Sequence, residues 1–208
     1  MLRTLQLALL AIALSMASAS HATPLTTAAG FTASDTLVTF DEVAVQFATP
    51  VTTQYSQYGV TFGEDIYAGV PFNNPANFAG QFLANGGTNS SYSIFFNAPV
   101  SAAGAYWEFN TGVTQILAAY LGGTLVESFL YTNASCCEST AFLGFSDTSF
   151  DEIRLTATGE FLDSSFILDN LSFRTGQVAE VPEPASLALL GLGALGMVAL
   201  RRRKVELA

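Results

Sequence analysis

Short runs of aromatic and β-branched residues, separated by turn-forming residues, fill the chain from residue 36 to residue 174. Asn73-Asn74-Pro75, Asn85-Gly86-Gly87 and Gly122-Gly123 have the composition of turns between such runs. No stretch before residue 181 keeps the helical period of about 3.6 residues. Many short strands at a spacing of roughly 8–12 residues predict an all-β fold, either a sandwich or a barrel.

The strand pattern covers several segments that are rich in Val, Ile, Thr, Phe and Tyr. They are residues 37–40, 51–55, 59–63, 81–84, 92–97, 104–109, 115–121, 124–131, 141–145, 152–157 and 166–174. Gly122-Gly123 lies between two apolar runs and predicts a tight hairpin. Residues 23–35 are small and polar, which predicts a flexible leader.

The last strand raises a question about a buried charge. Its pattern predicts that Ile167, Leu171 and Phe173 share one face of the sheet, while Phe166 and Leu168 belong to the other. Asp169 then falls on the same face as Ile167 and Leu171. A buried carboxylate without partners is costly, so this side chain needs hydrogen-bond donors, a cation, or a bulge that turns it outward.

The N-terminus has the pattern of a secretory signal peptide, residues 1–22. Arg3 and the amino terminus give a positive start, residues 5–13 form a short apolar core, and Ser20-His21-Ala22 is a small-x-small cleavage site. Ala17-Ser18-Ala19 is the alternative cleavage site. We expect cleavage after Ala22, which leaves residues 23–180 as one exported domain.

Residues 181–208 have three parts: Val181-Pro182-Glu183-Pro184, an uncharged run over residues 185–200, and Arg201-Arg202-Arg203-Lys204. The prolines keep their segment extended. The apolar run spans roughly 24 Å as a helix, against about 30 Å for a hydrocarbon core. The four cations snorkel to the headgroups and hold the C-terminus on the cytoplasmic side, which predicts one transmembrane helix.

This tail resembles the PEP-CTERM sorting signal of Gram-negative bacteria, in which the same three parts occur in the same order. The resemblance implies processing near Pro182-Glu183-Pro184 by an exosortase, a membrane-embedded cysteine transpeptidase. It also implies release to the cell surface or to the exopolysaccharide matrix after transit in the inner membrane. The alternative is a plain C-terminal anchor behind a proline-rich stalk.

The exported domain is strongly acidic. It holds 15 of the 17 acidic residues of the chain but only Arg154 and Arg174 of the seven basic ones, which gives a net charge of −13. Nucleic acids and anionic lipid surfaces are bound through cations that neutralise phosphate, so the composition excludes both as partners of this domain. It fits a soluble exported protein, a binder of divalent cations, or a binder of neutral sugars.

Histidine chemistry is absent from the predicted mature domain, because the single histidine is His21. That excludes Ser-His-Asp and Cys-His nucleophile systems and histidine-ligated zinc. Catalysis would depend on carboxylates, as in a glycan hydrolase or lyase, which is the alternative to a non-enzymatic role. Glu64-Asp65 and Asp151-Glu152 are adjacent pairs whose members point to opposite faces of a strand, so they predict solvated surface.

Cys136-Cys137 is an adjacent pair. Neighbouring Cα atoms lie about 3.8 Å apart, below the usual disulfide range of roughly 4.4–6.8 Å. A vicinal disulfide is therefore strained and easily reduced. Two free thiols and a bond to another molecule are the alternatives, and the mass of the peptide distinguishes the ring, which lacks two protons.

The body of the chain resembles the exported jelly-roll domains that often precede PEP-CTERM tails. The matching pieces are the residues at 38–42, 58–62, 95–100, 142–145 and 168–173. The resemblance implies an antiparallel β-sandwich similar to carbohydrate-binding modules, many of which hold a structural calcium between the first and last strands. Asp41-Glu42 and Asp169-Asn170, the first and last acidic pairs, are the candidate calcium ligands, with capping and turn hydrogen bonds as the alternative.

Tyr106-Trp107-Glu108 contains the only tryptophan. Ala105, Trp107 and Phe109 share one strand face, which predicts a core position for the indole and an outward position for Tyr106. Tyr106 and Glu108 are therefore the candidate carbohydrate contacts. Together these features predict an exported surface protein with a structural or exopolysaccharide-binding role and no certain cofactor.

Overall fold

A computed structural model of the chain describes residues 22–69, 78–85, 91–109, 114–132, 140–158 and 166–176. Residues 1–21 of the predicted signal peptide, the whole C-terminal segment 181–208 and Cys136-Cys137 lie outside the described residues, so these predictions stay predictions. Within the described ranges, no helix has the length and apolarity needed to cross a membrane.

Antiparallel strands make up nearly all of the regular structure. They are β1 (Thr23–Leu25), β2 (Thr36–Val38), β3 (Val60–Phe62), β4 (Ile66–Gly69), β5 (Phe82–Asn85), β6 (Ser91–Phe109), β7 (Thr114–Leu121), β8 (Thr124–Thr132), β9 (Thr140–Thr158) and β10 (Phe166–Arg174). The main path of pairing runs β4-β5-β10-β6-β9-β7-β8, while β1 pairs with β9, β2 with β10 and β3 with β6. The predicted all-β antiparallel class is confirmed.

Strands β6 and β9 are each 19 residues long, where the sequence predicted two separate strands in each region. The first half of β6 pairs with β3 and with the second half of β9, whereas its second half pairs with β10 and with the first half of β9. The register between β6 and β9 shifts between Phe95 and Ala102. Such irregularities bend a strand, which lets one chain segment serve two layers.

Aromatic contacts link strands that are not ladder neighbours at those positions. The rings of Phe129 in β8 and Phe145 in β9 lie 5.3 Å apart, and those of Tyr92 in β6 and Phe166 in β10 lie 4.8 Å apart. Trp107 is 2% exposed, and its indole nitrogen donates to the carbonyl oxygen of Leu143 at 3.2 Å. The predicted core role of Trp107 is confirmed, and the facing layers are consistent with a β-sandwich.

The prediction of a flexible leader at residues 23–35 was wrong. β1 pairs with β9 between Gly144 and Ser146, a 3₁₀ turn follows at Ala28–Gly30, and Asp35 forms an ion pair with Arg174 at 2.7 Å. A small polar segment has a weak intrinsic preference for strand structure, so its composition does not predict β1. The segment becomes a strand because the edge of the long strand β9 supplies its backbone hydrogen-bond partners.

The predicted strand at residues 51–55 is also wrong, because this segment forms turns and leads into a 3₁₀ turn at Ser56–Tyr58. The large side chains of this segment pack in the core even though it forms no strand, since Val51 and Tyr55 are fully buried. The Tyr55 hydroxyl donates to the carbonyl oxygen of Phe40 at 2.6 Å, which ties this turn to the loop after β2.

A bulge in β10 changes the predicted faces of that strand. Asp169 lies opposite Tyr106, but the next described pair is Ser172 with Gly104, so β10 has one residue more than β6 between these positions. Asn170 has a φ of 54°, a left-handed conformation of the kind found in one type of β-bulge.

As a result, the inward residues of β10 do not follow a simple alternation. The buried apolar residues are Phe166, Leu168, Leu171 and Phe173, all members of the core cluster. The predicted grouping of Leu171 and Phe173 with Ile167 was wrong, because the extra residue at the bulge moves both side chains to the face of Leu168.

The hairpin between β7 and β8 is confirmed. Gly122 and Gly123 both have positive φ angles, 56° and 78°, as a two-residue turn of the primed type requires. Both carboxylate oxygens of Asp151 accept from the amide of Gly122, at 3.1 and 3.0 Å.

Candidate functional site

The candidate calcium ligands gather around residues 79–81. Asp169 accepts a hydrogen bond from the amide of Ala79 at 3.1 Å, and Asp41 accepts one from the amide of Gln81 at 2.7 Å. Gly80, between these two amides, has a φ of 71°, and a Cβ atom there would overlap the Asp41 carboxylate. The loop before β5 therefore brings together acidic residues from the beginning and the end of the domain.

The side chain of Gln81 holds the loop after β2 in place. Its amide nitrogen donates to the carbonyl oxygen of Phe40 at 2.9 Å and to the Tyr55 hydroxyl at 2.7 Å, while its oxygen accepts from the amide of Val45 at 3.1 Å. Phe40 itself has a φ of 64°. These bonds fix the loop that carries Asp41 and Glu42, and burial raises the pKa of Tyr55, which stays protonated.

Asp169 is 1% exposed, the most deeply buried carboxylate described. Its second oxygen accepts from the amide of Asn170 at 2.6 Å. Burial raises the pKa of Asp169 to about 7, the two amide bonds oppose that rise, and the negative charges of Asp41 and Glu42 add to it. The four predicted residues thus lie in one electrostatic neighbourhood.

In the structure, hydrogen-bond donors satisfy these carboxylates. Glu42 accepts from the amide and the hydroxyl of Thr39 at 2.8 and 3.0 Å, an arrangement typical of a turn cap. Among the residues that the structure describes, no group of three or more acidic, cysteine or histidine side chains is placed to hold a metal ion. Nothing in the sequence around Ala79, Gly80 and Gln81 had marked them as partners.

A second candidate site is a cleft of about 450 Å³ beside β9. Its lining residues are Thr26, Thr27, Ala28, Tyr106, Tyr131, Thr140, Ala141, Phe142 and Leu143. The ring of Tyr106 meets that of Phe142 edge to face, with centroids 5.2 Å apart. Two tyrosines, one phenylalanine and three threonine hydroxyls therefore surround one space, a combination suited to a ligand with apolar faces and hydroxyl groups.

One wall of this cleft comes from the N-terminal segment that the sequence predicted as a leader. Phe31 packs edge to face on Phe142 with centroids 5.9 Å apart. Arg174 fastens the segment by donating to both carboxylate oxygens of Asp35 and to the carbonyl oxygen of Gly30. The hydrogen bond from Arg174 lowers the pKa of Asp35 to about 2, so the pair is ionised at neutral pH.

Glu108 is half-buried on β6, directly opposite Thr140, which lines the cleft. The structure therefore places both predicted carbohydrate contacts, Tyr106 and Glu108, at or next to one cleft. Sequence reasoning missed Tyr131, Phe142 and the threonines. Only the pairing of β6 with β9, the position of β1 and the packing of β8 against β6 bring them there.

Both arginines of the domain are engaged. Arg154 donates to both carboxylate oxygens of Glu152 and lies 4.2 Å from the centroid of the Tyr120 ring. Glu152 also accepts from the Ser93 hydroxyl at 2.6 Å and is only 5% exposed. The prediction that Asp151-Glu152 is solvated was thus wrong for Glu152, because Arg154 covers it on the same face of β9.

Residues 180–204 match the PEP-CTERM protein-sorting motif. The sorting signal is therefore present where the sequence predicted it, and it indicates export with membrane-anchored transit before processing. Among proteins of curated function, none matches the chain.

Solved carbohydrate-binding modules are similar to this chain at low sequence identity. TmCBM61 in complex with β-1,4-galactotriose is 14% identical over 56% of this chain and 87% of that chain, with a TM-score of 0.39. CsCBM6-3 from Clostridium stercorarium, in complex with cellobiose, is 12% identical over 64% and 100%, with a TM-score of 0.35. The carbohydrate-binding module CBM36, in complex with calcium and xylotriose, is 20% identical over 55% and 98%, with a TM-score of 0.28.

The titration of Asp169 makes stability depend on pH. The folded state holds this proton up to about pH 7, whereas the unfolded carboxyl releases it near its ordinary pKa of 3.8. The resulting stabilisation is complete below about pH 4 and is lost as pH rises through about 7.

Asp169→Asn mimics the neutral acid. We expect the free energy of unfolding of the wild type to fall relative to that of the variant between about pH 4 and pH 7.

Denaturant unfolding of the full chain at several pH values measures this difference. Glu64→Gln changes an exposed carboxylate and serves as the control, which should keep the wild-type pH profile. Parallel profiles for wild type and Asp169→Asn would contradict a raised pKa at this position.

Proposed function

We propose that this protein is an exosortase substrate at the cell surface or in the extracellular matrix, whose exported domain binds neutral polysaccharide without cleaving it. The match of residues 180–204 to the sorting motif supports the first part. The cleft lined by tyrosines and threonines supports the second. Its partners are the exosortase, exopolysaccharide and, through the C-terminal helix before processing, the inner membrane.

The proposed organisation follows from the sequence. Residues 1–22 are a signal peptide, residues 23–180 an exported domain of jelly-roll topology, and residues 181–208 the sorting segment with one transmembrane helix. The order of proline-rich element, apolar run and basic cluster supports this organisation at the C-terminal end.

Replacement of Pro182-Glu183-Pro184 by three alanines tests the sorting. We expect the variant to stay in the inner membrane while the wild type moves outward, because the enzyme needs an extended, accessible segment before the helix. Fractionation of cells followed by immunoblotting measures the distribution. Glu206→Gln, which alters the same tail beyond the basic cluster, is the control and should be sorted as the wild type is. Equal outward release of the alanine variant and the wild type would show that sorting does not require Pro182-Glu183-Pro184.

The observation that carries saccharide binding is the chemistry of the cleft. Aromatic rings stack on the apolar faces of sugar rings. Protein hydroxyl groups donate hydrogen bonds to sugar hydroxyls or accept them, and carboxylate oxygens accept them. Tyr106, Tyr131 and Phe142 supply the rings, while Thr140 and the neighbouring Glu108 supply polar atoms. Both arginines of the domain are held in ion pairs elsewhere, which favours a neutral sugar over a uronic acid.

Tyr106→Ala tests this site. We expect its affinity for a neutral polysaccharide to fall about tenfold or more, because the variant loses a stacking surface. Pull-down on immobilised xylan and cellulose, with polygalacturonate as the charged comparison, measures binding of the full chain. Tyr67→Ala, a partly exposed tyrosine of β4 outside the cleft, is the matched control and should bind as the wild type does.

Two outcomes of the same assay would oppose the proposal. If the Tyr106→Ala variant binds polysaccharide as strongly as the wild type does, the binding site does not lie in this cleft. Release of reducing sugar by the wild type would favour the carboxylate-based hydrolase or lyase over a binding protein.

A structural calcium ion held by Asp41, Glu42, Asp169 and Asn170 is the cofactor hypothesis, and binding would require these side chains to draw closer together than they lie in the structure. Carboxylate, amide and backbone oxygens are suitable ligands, and the mutual repulsion of the three acids would be relieved by a cation. Calcium should then raise the melting temperature of the full chain by several degrees more than magnesium at equal ionic strength, and this excess should vanish in Asp169→Asn. The same excess in wild type and variant would exclude Asp169 as a ligand.

A further inference from the structure

Residues 26–28, which line one side of the cleft, belong to a short segment that is held at both of its ends. At the first end, β1 pairs with β9. At the second end, Arg174 donates to the carbonyl oxygen of Gly30 at 2.7 Å and to the two carboxylate oxygens of Asp35 at 2.7 and 2.9 Å. We call residues 26–30 the arch, and Arg174 is its second support.

Short-range hydrogen bonds connect the position of Gly30 to the cleft. Gly30 ends the 3₁₀ turn whose first residue, Ala28, lines the cleft. The carbonyl oxygen of Ala28 accepts from the amide of Phe31 at 3.0 Å, and the hydroxyl oxygen of Thr27 accepts from the amide of Ala29 at 3.3 Å. These bonds set the places of the Thr27 hydroxyl and the Ala28 methyl group beside the cleft.

The ring of Phe31 extends the same support to the aromatic wall of the cleft. The guanidinium carbon of Arg174 lies 5.8 Å from the centroid of this ring, within the range of a cation–π contact. Phe31 packs edge to face on Phe142, which packs edge to face on Tyr106, with centroids 5.9 and 5.2 Å apart. Arg174 therefore contacts both the arch and a ring that adjoins the proposed stacking surface.

A fixed arch favours binding for an entropic reason. A ligand that meets residues 26–28 needs them in one arrangement, and ordering them at the moment of binding would reduce the affinity. Arginine suits this support, because its planar fork holds both oxygens of a carboxylate and thereby fixes direction as well as distance. The free protein thus already holds the arch as the ligand would need it.

We propose that Arg174 is a positioning residue for saccharide binding, because it holds the arch in the arrangement in which residues 26–28 meet the ligand. The inference rests on the proposed saccharide binding and explains how the cleft is prepared for a ligand. Arg174 is not among the residues that line the cleft, so its effect reaches the ligand through the arch and through Phe31.

Arg154 offers a matched comparison within the same domain. It also donates to both oxygens of one carboxylate, that of Glu152, and its side chain is 37% exposed, against 42% for Arg174. Neither Arg154 nor Glu152 lines the cleft. The loss of either ion pair should weaken the fold, whereas only the loss of the pair at Arg174 should loosen the arch.

Arg174→Gln and Arg154→Gln, each in the full chain, separate positioning from stability. We expect both variants to unfold at lower denaturant concentration than the wild type, because each leaves a carboxylate without its guanidinium partner. Only Arg174→Gln should lose affinity for cellotriose and xylotriose in calorimetry, by about fivefold or more, since the ligand must then order the arch. Arg154→Gln should bind as the wild type does.

Hydrogen exchange of the arch is a second measurement on the same proteins. In Arg174→Gln we expect the amides of Ala29 and Phe31 to exchange faster than in the wild type and to slow when a trisaccharide is bound. In Arg154→Gln these amides should exchange as in the wild type. Should Arg174→Gln fail to fold, Asp35→Asn takes its place, because it removes the charge of the pair, and the same changes are expected.

Three outcomes would oppose the proposal. Wild-type affinity in folded Arg174→Gln, or in Asp35→Asn where that variant replaces it, overturns the positioning role and leaves saccharide binding intact. An equal loss of affinity in Arg174→Gln and Arg154→Gln also overturns it, because the loss would then follow from stability. If the wild type binds neither trisaccharide nor immobilised polysaccharide, the proposed function and the positioning role are both wrong.

Discussion

The pairing of β6 with β9 is the interaction on which the rest of the fold depends. Each strand is 19 residues long, and β1, β3, β7 and β10 each pair with one of the two. Gly104 and Gly144 allow their backbones to approach closely, since a Cβ atom on Gly144 would overlap the carbonyl oxygen of Ala103. The register shifts between these two strands bend them, so that one continuous ladder contributes to two layers of the fold.

The cleft follows from the same pair. The outward face at the end of β6 presents Tyr106, and β9 presents Phe142 directly opposite. The N-terminal segment covers their edge because β1 needs a backbone partner and finds it on β9. A surface that combines residues from the first, middle and later parts of the chain is thus a consequence of strand order, and no single stretch of sequence contains it.

The sequence predicted the all-β antiparallel class, the Gly122-Gly123 hairpin and the core position of Trp107, because turn residues and strand alternation are local signals. It did not predict the bulge at Asn170, which depends on how β10 pairs with β6. It placed Tyr106 on the outer face but did not place Tyr131 in the same cleft, because that position depends on long-range packing. Short segments, such as residues 23–25 and 66–69, become strands by pairing with strands that the rest of the fold positions.

The place of β10 in the sheet has a mechanical consequence. β10 ends at Arg174, and the chain continues from there toward the sorting segment, so a pull on the tail enters the domain through this strand. β10 is paired with β6 on one side and with β2 and β5 on the other. Interstrand hydrogen bonds lie across the strand direction, so a pull along β10 would load them together in shear. The ion pair between Arg174 and Asp35 passes part of that load to the opposite end of the domain's chain.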